Sequence, residues 1–161
     1  MNETYAINTE QQDYDKLRDF NKLLNLRELG KRPDKDTTDA SGYTEDGQEV
    51  NIELKSRNIG INTFKTIYIE NHKVADMLLD YTIDKKIPLY INFLNDDYVV
   101  VFNLAKLRHR PRKVNKRIWS QLYQAFEMAK REELRLEDAW IYKKEHNRYI
   151  LVKRKGQPLE S

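Results

Sequence analysis

The fold is decided by residues 45–55, which read EDGQEVNIELK. Val50, Ile52 and Leu54 alternate there with polar residues, which is typical of a strand with one buried face. The Asp46-Gly47 pair just before them is typical of a hairpin turn. The sequence therefore predicts a hairpin over 40–56 whose second arm has Glu53 and Lys55 on its polar face.

Further elements can be placed around this hairpin from hydrophobic periodicity and turn residues. The pattern predicts helices over 10–29, 70–84 and 116–134, a short strand or extended segment over 64–69, strands over 89–94 and 98–102, and a C-terminal hairpin over 139–152. Pro33 keeps the polar connection after the first helix from being helical. This alternation of helices and hairpins predicts an α/β or α+β domain.

Composition limits the function classes. The 161 residues include no cysteine, which excludes disulfides, thiolate metal sites and a cysteine nucleophile. No run approaches the roughly 18 apolar residues of a membrane span, and the polar, acidic first 30 residues do not resemble a secretory signal. We therefore expect a cytoplasmic protein without a membrane partner.

Charge is divided unevenly along the chain. Residues 1–105 contain 13 Lys/Arg and 19 Asp/Glu, whereas residues 106–161 contain 16 and 7. We therefore predict an acidic core over 1–105, with a basic C-terminal helix and hairpin over 106–161 packed on the same domain. Seven basic residues without an acid form a predicted nucleic-acid-binding segment: Lys106, Arg108, Arg110, Arg112, Lys113, Lys116 and Arg117. Such a segment favours backbone phosphate contacts.

The polar face of the hairpin supports a metal-site hypothesis. A carboxylate and a lysine two residues apart on one strand can hold a divalent cation and orient a water molecule. The second carboxylate depends on the turn, because a three-residue loop places Asp39 opposite Glu53 and a two-residue loop turns Asp39 away. Asp39 is favoured and Asp36 is the next choice.

These residues resemble the PD-(D/E)xK phosphodiesterase superfamily, which has the restriction-endonuclease-like fold. The resemblance covers about residues 10–105 and depends on Asp39 and on the run IELKS at 52–56; the stretches 66–73 and 89–93 are similar to small nucleases of phages and mobile elements. It implies a central mixed β-sheet flanked by helices. The short segment before Asp39 predicts a reduced sheet.

The resemblance also implies site residues. Asp39, Glu53 and the Leu54 carbonyl would bind Mg²⁺, or Mn²⁺ in its place, and Lys55 would assist the attacking water. Lys73 would be an accessory residue on the phosphate side, and Glu10 or Asp13 would add an acid from the first helix. The literal Pro-Asp pair is Pro33-Asp34, so Asp34, Asp36 and Asp39 stay open as the first ligand.

The function expected from these features is a Mg²⁺-dependent nuclease acting on DNA, in phage or mobile-element DNA processing or recombination. The alternatives are a non-catalytic nucleic-acid-binding or assembly protein, and an enzyme that acts on RNA with the same site. Because cutting both strands often needs two copies, a homodimer is also expected.

Overall fold

The computed structural model describes residues 3–33, 38–120 and 124–159. Its elements, in chain order, are α1 (Glu3–Leu24), β1 (Arg27–Lys31), β2 (Ala40–Tyr43), β3 (Glu49–Arg57), β4 (Thr66–Glu70), α2 (Asn71–Asp84), β5 (Ile87–Leu94), β6 (Tyr98–Asn103), β7 (Arg112–Ser120), β8 (Ala125–Arg135), a 3₁₀ turn (Leu136–Asp138), β9 (Trp140–Glu145) and β10 (Arg148–Lys153). Among these described residues, no helix is long and apolar enough to cross a membrane.

Two sheets organise the molecule. Seven strands form the larger one, in the order β1-β2-β3-β5-β6-β9-β10, and β4-β8-β7 form the smaller one. Among the described strands of the larger sheet, only β3 and β5 pair in parallel, and α2 lies in the connection between them. Parallel neighbours need such a crossover, whereas the antiparallel pairs β2–β3, β5–β6 and β9–β10 are joined by short turns.

Helices cover the larger sheet on both faces. Leu17 and Phe20 of α1 pack with Ile52 and Leu54 on one face. On the other face, α2 packs through Met77, and the smaller sheet contributes buried side chains to the same cluster. The larger sheet is therefore a central mixed sheet flanked by helices, so the fold class predicted from the restriction-endonuclease-like resemblance is confirmed.

The first helix lies earlier in the chain than predicted, at Glu3–Leu24 instead of 10–29. It ends at Leu24, because the Asn21 side chain accepts a hydrogen bond from the Leu26 amide (2.9 Å) and donates one to the Leu26 carbonyl (3.1 Å). Asn25 then turns the chain with a left-handed φ of 56°. The residues released in this way form β1 and pair with β2, so the prediction of a reduced sheet was wrong at this edge.

The prediction of a basic C-terminal helix over 116–134 was also wrong. The segment forms the antiparallel hairpin of β7 and β8, and β8 pairs with β4 from Arg131 to Arg135. Trp119 and Phe126, with Leu122, would form the apolar stripe of such a helix. In the structure Trp119 and Phe126 face each other across the strands instead. Leu122 lies outside the described residues. Pairing with β4 explains the strand, because it buries Leu134 and uses the backbone groups of β8.

Candidate active site

The centre of the candidate site is the polar face of β3. This strand lies between β2 and β5, and its alternation directs Ile52 and Leu54 towards α1. Glu53, Lys55 and Arg57 therefore project from the opposite face, spaced about 6.6 Å apart along the strand. Glu53 is only 4% exposed although it carries a carboxyl group, whereas Lys55 is exposed.

The turn between β2 and β3 has three residues, as the favoured alternative predicted. The Thr44 amide donates to the Gln48 carbonyl at 2.9 Å, and Gly47 adopts a φ of +83° in the left-handed region. Ala40 consequently pairs with Ile52. The same register, continued by one residue, places Asp39 opposite Glu53.

Asp39 is held in place by the backbone of β3. Its amide donates to the Ile52 carbonyl (2.9 Å), and its Oδ2 accepts a hydrogen bond from the Leu54 amide (2.8 Å). Burial raises the pKa of Asp39, while the Leu54 amide and the nearby positive charge of Lys73 act against that rise. The carboxylate is therefore fixed in a poorly solvated position at the end of the β2–β3 ladder.

Glu53 forms an ion pair with Lys73, which lies on the first turn of α2. The Lys73 ammonium donates to Glu53 Oε1. Burial, and then the nearby charge of Asp39, raise the pKa of Glu53 to about 7, although Lys73 opposes both effects. Burial alone would lower the pKa of Lys73, but the Glu53 carboxylate outweighs it and the net shift is upward.

The second oxygen of Glu53 has no partner. Oε2 is buried and accepts no hydrogen bond from any residue that the structure describes. An unsatisfied buried acceptor is costly, and a second carboxylate beside it makes a cation the natural complement. The Asp39 carboxylate, Glu53 Oε2 and the Leu54 carbonyl are hard oxygen donors, which suit Mg²⁺ or Mn²⁺. The donor set therefore fits a divalent ion that keeps several waters.

The carboxylates at this position are few. Within residues 3–33, 38–120 and 124–159, no three His, Cys, Asp or Glu side chains come together as a metal-binding group. Asp13 of α1 is close enough to raise the pKa of Asp39 further, but its Oδ1 already accepts the Ser56 hydroxyl at 2.5 Å. An ion would therefore depend on two carboxylates, one carbonyl and solvent or substrate oxygens.

The site opens into a cleft of about 430 Å³. Asp39, Glu53, Lys55 and Lys73 are among the residues that line it. Its other charged lining residues come from several elements: Glu10, Asp13, Lys31, Arg32, Arg57, Glu70, Lys116 and Arg131. Cations therefore surround the two central carboxylates, an arrangement that suits a polyanionic substrate.

The predicted accessory and binding residues are only partly brought together. Glu10 lines the cleft, with its Oε2 4.0 Å from Lys31 Nζ, whereas Asp34 and Asp36 lie outside the described residues. Of the predicted basic segment, Lys116 alone lines the cleft, with Nζ 3.7 Å from the centroid of the Tyr68 ring.

The rest of that basic segment points elsewhere. Arg112 pairs with Glu133 at 3.0 Å, and Arg117 lies over the Phe126 ring. Lys106, Arg108 and Arg110 lie between β6 and β7. None of these five residues lines the described cleft, and neither does Lys113 on β7.

Sequence reasoning missed four of the cations that line the cleft: Lys31, Arg32, Arg57 and Arg131. Arg57 donates to the Tyr68 carbonyl (2.6 Å), the Tyr90 hydroxyl (2.7 Å) and the Asn92 side chain (2.8 Å). The alternation that selected Glu53 and Lys55 extends to Arg57 and could have revealed it. Arg131, whose Nη2 lies 3.9 Å from Glu70 Oε1, could not be found because its segment was predicted to be helical.

Comparison with solved structures finds a likeness in fold, whereas comparison with sequences finds none. No family model and no curated protein matches the sequence. A solved structure of Hjc, a Holliday junction resolvase from the archaeal hyperthermophile Archaeoglobus fulgidus, is similar with a TM-score of 0.49 and 11% sequence identity. The match covers 77% of this chain and 84% of that chain.

Proposed function

We propose that this chain is a divalent-metal-dependent nuclease that hydrolyses phosphodiester bonds in DNA. The observation that carries the proposal is the unpaired, buried Oε2 of Glu53 beside the Asp39 carboxylate, in a cleft that also contains Lys55. A buried carboxylate oxygen without a hydrogen-bond partner, next to a second acid, is costly unless a cation completes the site. A role in phage or mobile-element DNA processing belongs to the same proposal.

Asp39, Glu53 and the Leu54 carbonyl would hold Mg²⁺ or Mn²⁺. The ion, when bound, polarises the scissile phosphate and lowers the pKa of a coordinated water. The Leu54 residue would act twice, because its amide orients the Asp39 carboxylate and its carbonyl supplies an oxygen ligand. The protein thus presents ligands whose orientation is set by the β2–β3 ladder.

Lys55 would act on the water side of the phosphate. It projects from the same strand face as Glu53 and is exposed at the cleft, so its ammonium can donate to an attacking water or to a phosphate oxygen. Such a donor positions the nucleophile and offsets negative charge in the transition state.

The cations around the carboxylates would bind the substrate. Lys73 offsets the Glu53 charge through Oε1 and leaves Oε2 open to the ion. Lys116 and Arg131, on β7 and β8, line the same cleft and would contact the DNA backbone. Such contacts make affinity fall as salt rises and carry no sequence readout.

The proposal is tested by DNA cleavage with Asp39→Asn, Glu53→Gln and Lys55→Ala. Plasmid and single-stranded DNA are incubated with Mg²⁺, Mn²⁺ or chelator, and the products are resolved on gels. Wild-type protein should cut only with metal. Each variant should lose about 10²–10⁴-fold in rate but retain most DNA binding. Asp46→Asn, in the exposed turn of the same hairpin, is the matched control and should cut normally.

Two results would contradict this function. Undiminished cleavage by Lys55→Ala would show that Lys55 takes no part in the reaction. Salt-sensitive DNA binding without metal-dependent cuts would instead support the non-catalytic nucleic-acid-binding alternative. A parallel assay on RNA of the same sequence decides between DNA and RNA as the substrate.

A further inference from the structure

The hairpin of β7 and β8 extends past the sheet that supports it. β4 pairs with β8 only over Arg131–Arg135, whereas β7 and β8 continue to pair with each other as far as Ser120 and Ala125. Residues 115–120 and 125–130 therefore form a two-stranded ribbon. Alternation gives the ribbon two faces, and Lys116 and Ile118 on one of them line the cleft.

The opposite face, here called the outer face, carries Lys113, Asn115, Arg117 and Trp119 of β7 and Phe126, Met128 and Lys130 of β8. Three large apolar side chains are exposed there, because Trp119, Phe126 and Met128 keep 46%, 56% and 64% of their surface accessible. Exposed clusters of this kind on a soluble protein mark interaction sites more often than single exposed residues do.

The aromatic side chains of the outer face are already positioned. The Trp119 and Phe126 rings meet edge to face, with centroids 5.2 Å apart and planes at 74°. The Arg117 guanidinium lies 4.2 Å from the centroid of the Phe126 ring. Neighbouring side chains thus hold exposed ring surface in a defined orientation, so little further ordering is required on binding.

The exposed charges of the outer face have one sign. Lys113, Arg117 and Lys130 are basic, and the acid that the structure describes on this face, Glu132, is 8% exposed at the base of the ribbon. Beside the start of α2, a groove of about 330 Å³ is lined by Lys113, Lys130 and Arg131 together with Asn71 and Asn115. The outer face therefore runs from a basic groove to a pair of exposed aromatic rings.

This combination identifies the partner. Basic grooves that follow a sugar-phosphate backbone, combined with aromatic rings on which bases stack, are typical of single-stranded nucleic-acid binding. A second copy of the chain fits poorly, because a two-fold contact would place Arg117 and Lys130 against like charges. A polyanion with exposed bases matches both the charge and the rings.

We propose that the outer face of the ribbon binds a single-stranded segment of nucleic acid, with Lys113, Arg117 and Lys130 on its phosphates and Trp119 and Phe126 against its bases. This rests on the proposed nuclease function only in that the segment would belong to the same substrate. Because Lys116 and Ile118 of the same ribbon face the cleft, a substrate held at both places would pass around the ribbon.

The proposal is tested by binding in chelator, where no cleavage occurs. Fluorescence anisotropy compares a labelled oligothymidine with a duplex of equal length. Trp119→Ala should weaken oligothymidine binding about 10-fold or more and duplex binding much less, and Trp119→Phe should restore it. Arg117→Ala should weaken both and reduce the salt dependence.

The controls match the variants in exposure. Ile150 on β10 is 46% exposed, like Trp119, so Ile150→Ala removes an equally exposed apolar side chain elsewhere. Arg18→Ala removes an exposed arginine of α1. Both controls should bind like the wild type. Trp140, the second tryptophan, is 3% exposed, so quenching of intrinsic fluorescence by oligothymidine should disappear in Trp119→Ala.

Three results would overturn the proposal. They are unchanged oligothymidine binding by Trp119→Ala, equal losses for oligothymidine and duplex, and a DNA-free dimer in sedimentation that Trp119→Ala converts to monomer. The last would show that the outer face is a contact between copies. If the wild type cleaves DNA with metal but Trp119→Ala binds oligothymidine normally, this inference alone is wrong. If Trp119→Ala selectively loses oligothymidine binding but the wild type cleaves no DNA, the nuclease proposal alone is wrong.

Discussion

The hairpins β2–β3 and β7–β8 are both antiparallel ladders, yet they differ in what surrounds them. β3 has a neighbour on each side and helices or strands over both faces, so even Glu53 is buried. The distal part of β7–β8 has no third strand among the described residues, and Trp119 and Phe126 remain exposed on it.

The difference separates two ways of building a functional surface. In the β2–β3 hairpin, low solvent access makes each charge costly, so the acids need a counter-ion and their protonation depends on their neighbours. In the distal part of the β7–β8 hairpin, the charged side chains remain solvated. Their effect on the affinity for a partner depends on how many phosphates they contact. Changes in the first hairpin should therefore alter stability and chemistry together, and changes in the distal part of the second hairpin should alter binding alone.

In the β2–β3 hairpin, the largest effect on stability should come from pH, through Glu53. Its pKa is about 7 in the folded chain against 4.5 ordinarily, so between these values the folded state holds a proton that the unfolded state has released. The stabilisation is complete below pH 4.5 and is lost as pH rises through 7. In metal-free protein, the free energy of unfolding should fall by on the order of 3 kcal/mol over this pH range.

Urea unfolding in chelator at pH 5, 6, 7 and 8 measures this loss. Glu53→Gln is the control, because glutamine has no proton to exchange, and the difference between the two curves isolates Glu53 from other titrating groups. Parallel curves for the two proteins would show that Glu53 titrates normally and that burial does not perturb it.

A smaller effect should come from the turn of the first hairpin. Gly47 has a φ of +83°, and a methyl group added to it would have no heavy atom within 4 Å, so Gly47→Ala meets no steric obstacle except its own backbone. We expect a loss of about 1 kcal/mol in the free energy of unfolding, from the left-handed conformation alone.

Gly30→Ala in β1 is the matched control for the turn. Its added methyl group would have its nearest contact at 3.9 Å, and Gly30 has no positive φ. Its effect should stay within about 0.5 kcal/mol. Equal losses in the free energy of unfolding for the two variants would contradict the conformational explanation. They would also mean that the left-handed Gly47 does not set the register of β2–β3.

The same two hairpins show how far the sequence could be interpreted. The β2–β3 register was predictable because local signals agreed: alternation over 50–54 and a glycine at 47 left two turn lengths, one of which faces Asp39 towards Glu53. The position of Lys73 was also predicted. Its ion pair with Glu53 was not, because the contact depends on how α2 packs against the sheet.

The β7–β8 hairpin was not predictable in the same way. Trp119 and Phe126 are seven residues apart, which fits two helical turns as well as a pair across a hairpin. The deciding contact is the pairing of β8 with β4, about sixty residues earlier in the chain, and a local pattern does not contain it. Arg131 was missed for the same reason, and β1 was missed because a side chain of α1 ends that helix early.

The smallest effect should be found at the exposed end of β8. Met128 and Leu134 lie on the same face of this strand, but Met128 is 64% exposed and Leu134 is 1% exposed. Met128→Ala should change the free energy of unfolding by no more than about 0.5 kcal/mol. Leu134→Ala should cost about 2–5 kcal/mol, because it leaves a cavity between the sheets. Urea unfolding of the two variants compares them directly, and a cost for Met128→Ala near that of Leu134→Ala would mean that the ribbon is packed against something and that its outer face is not free to bind.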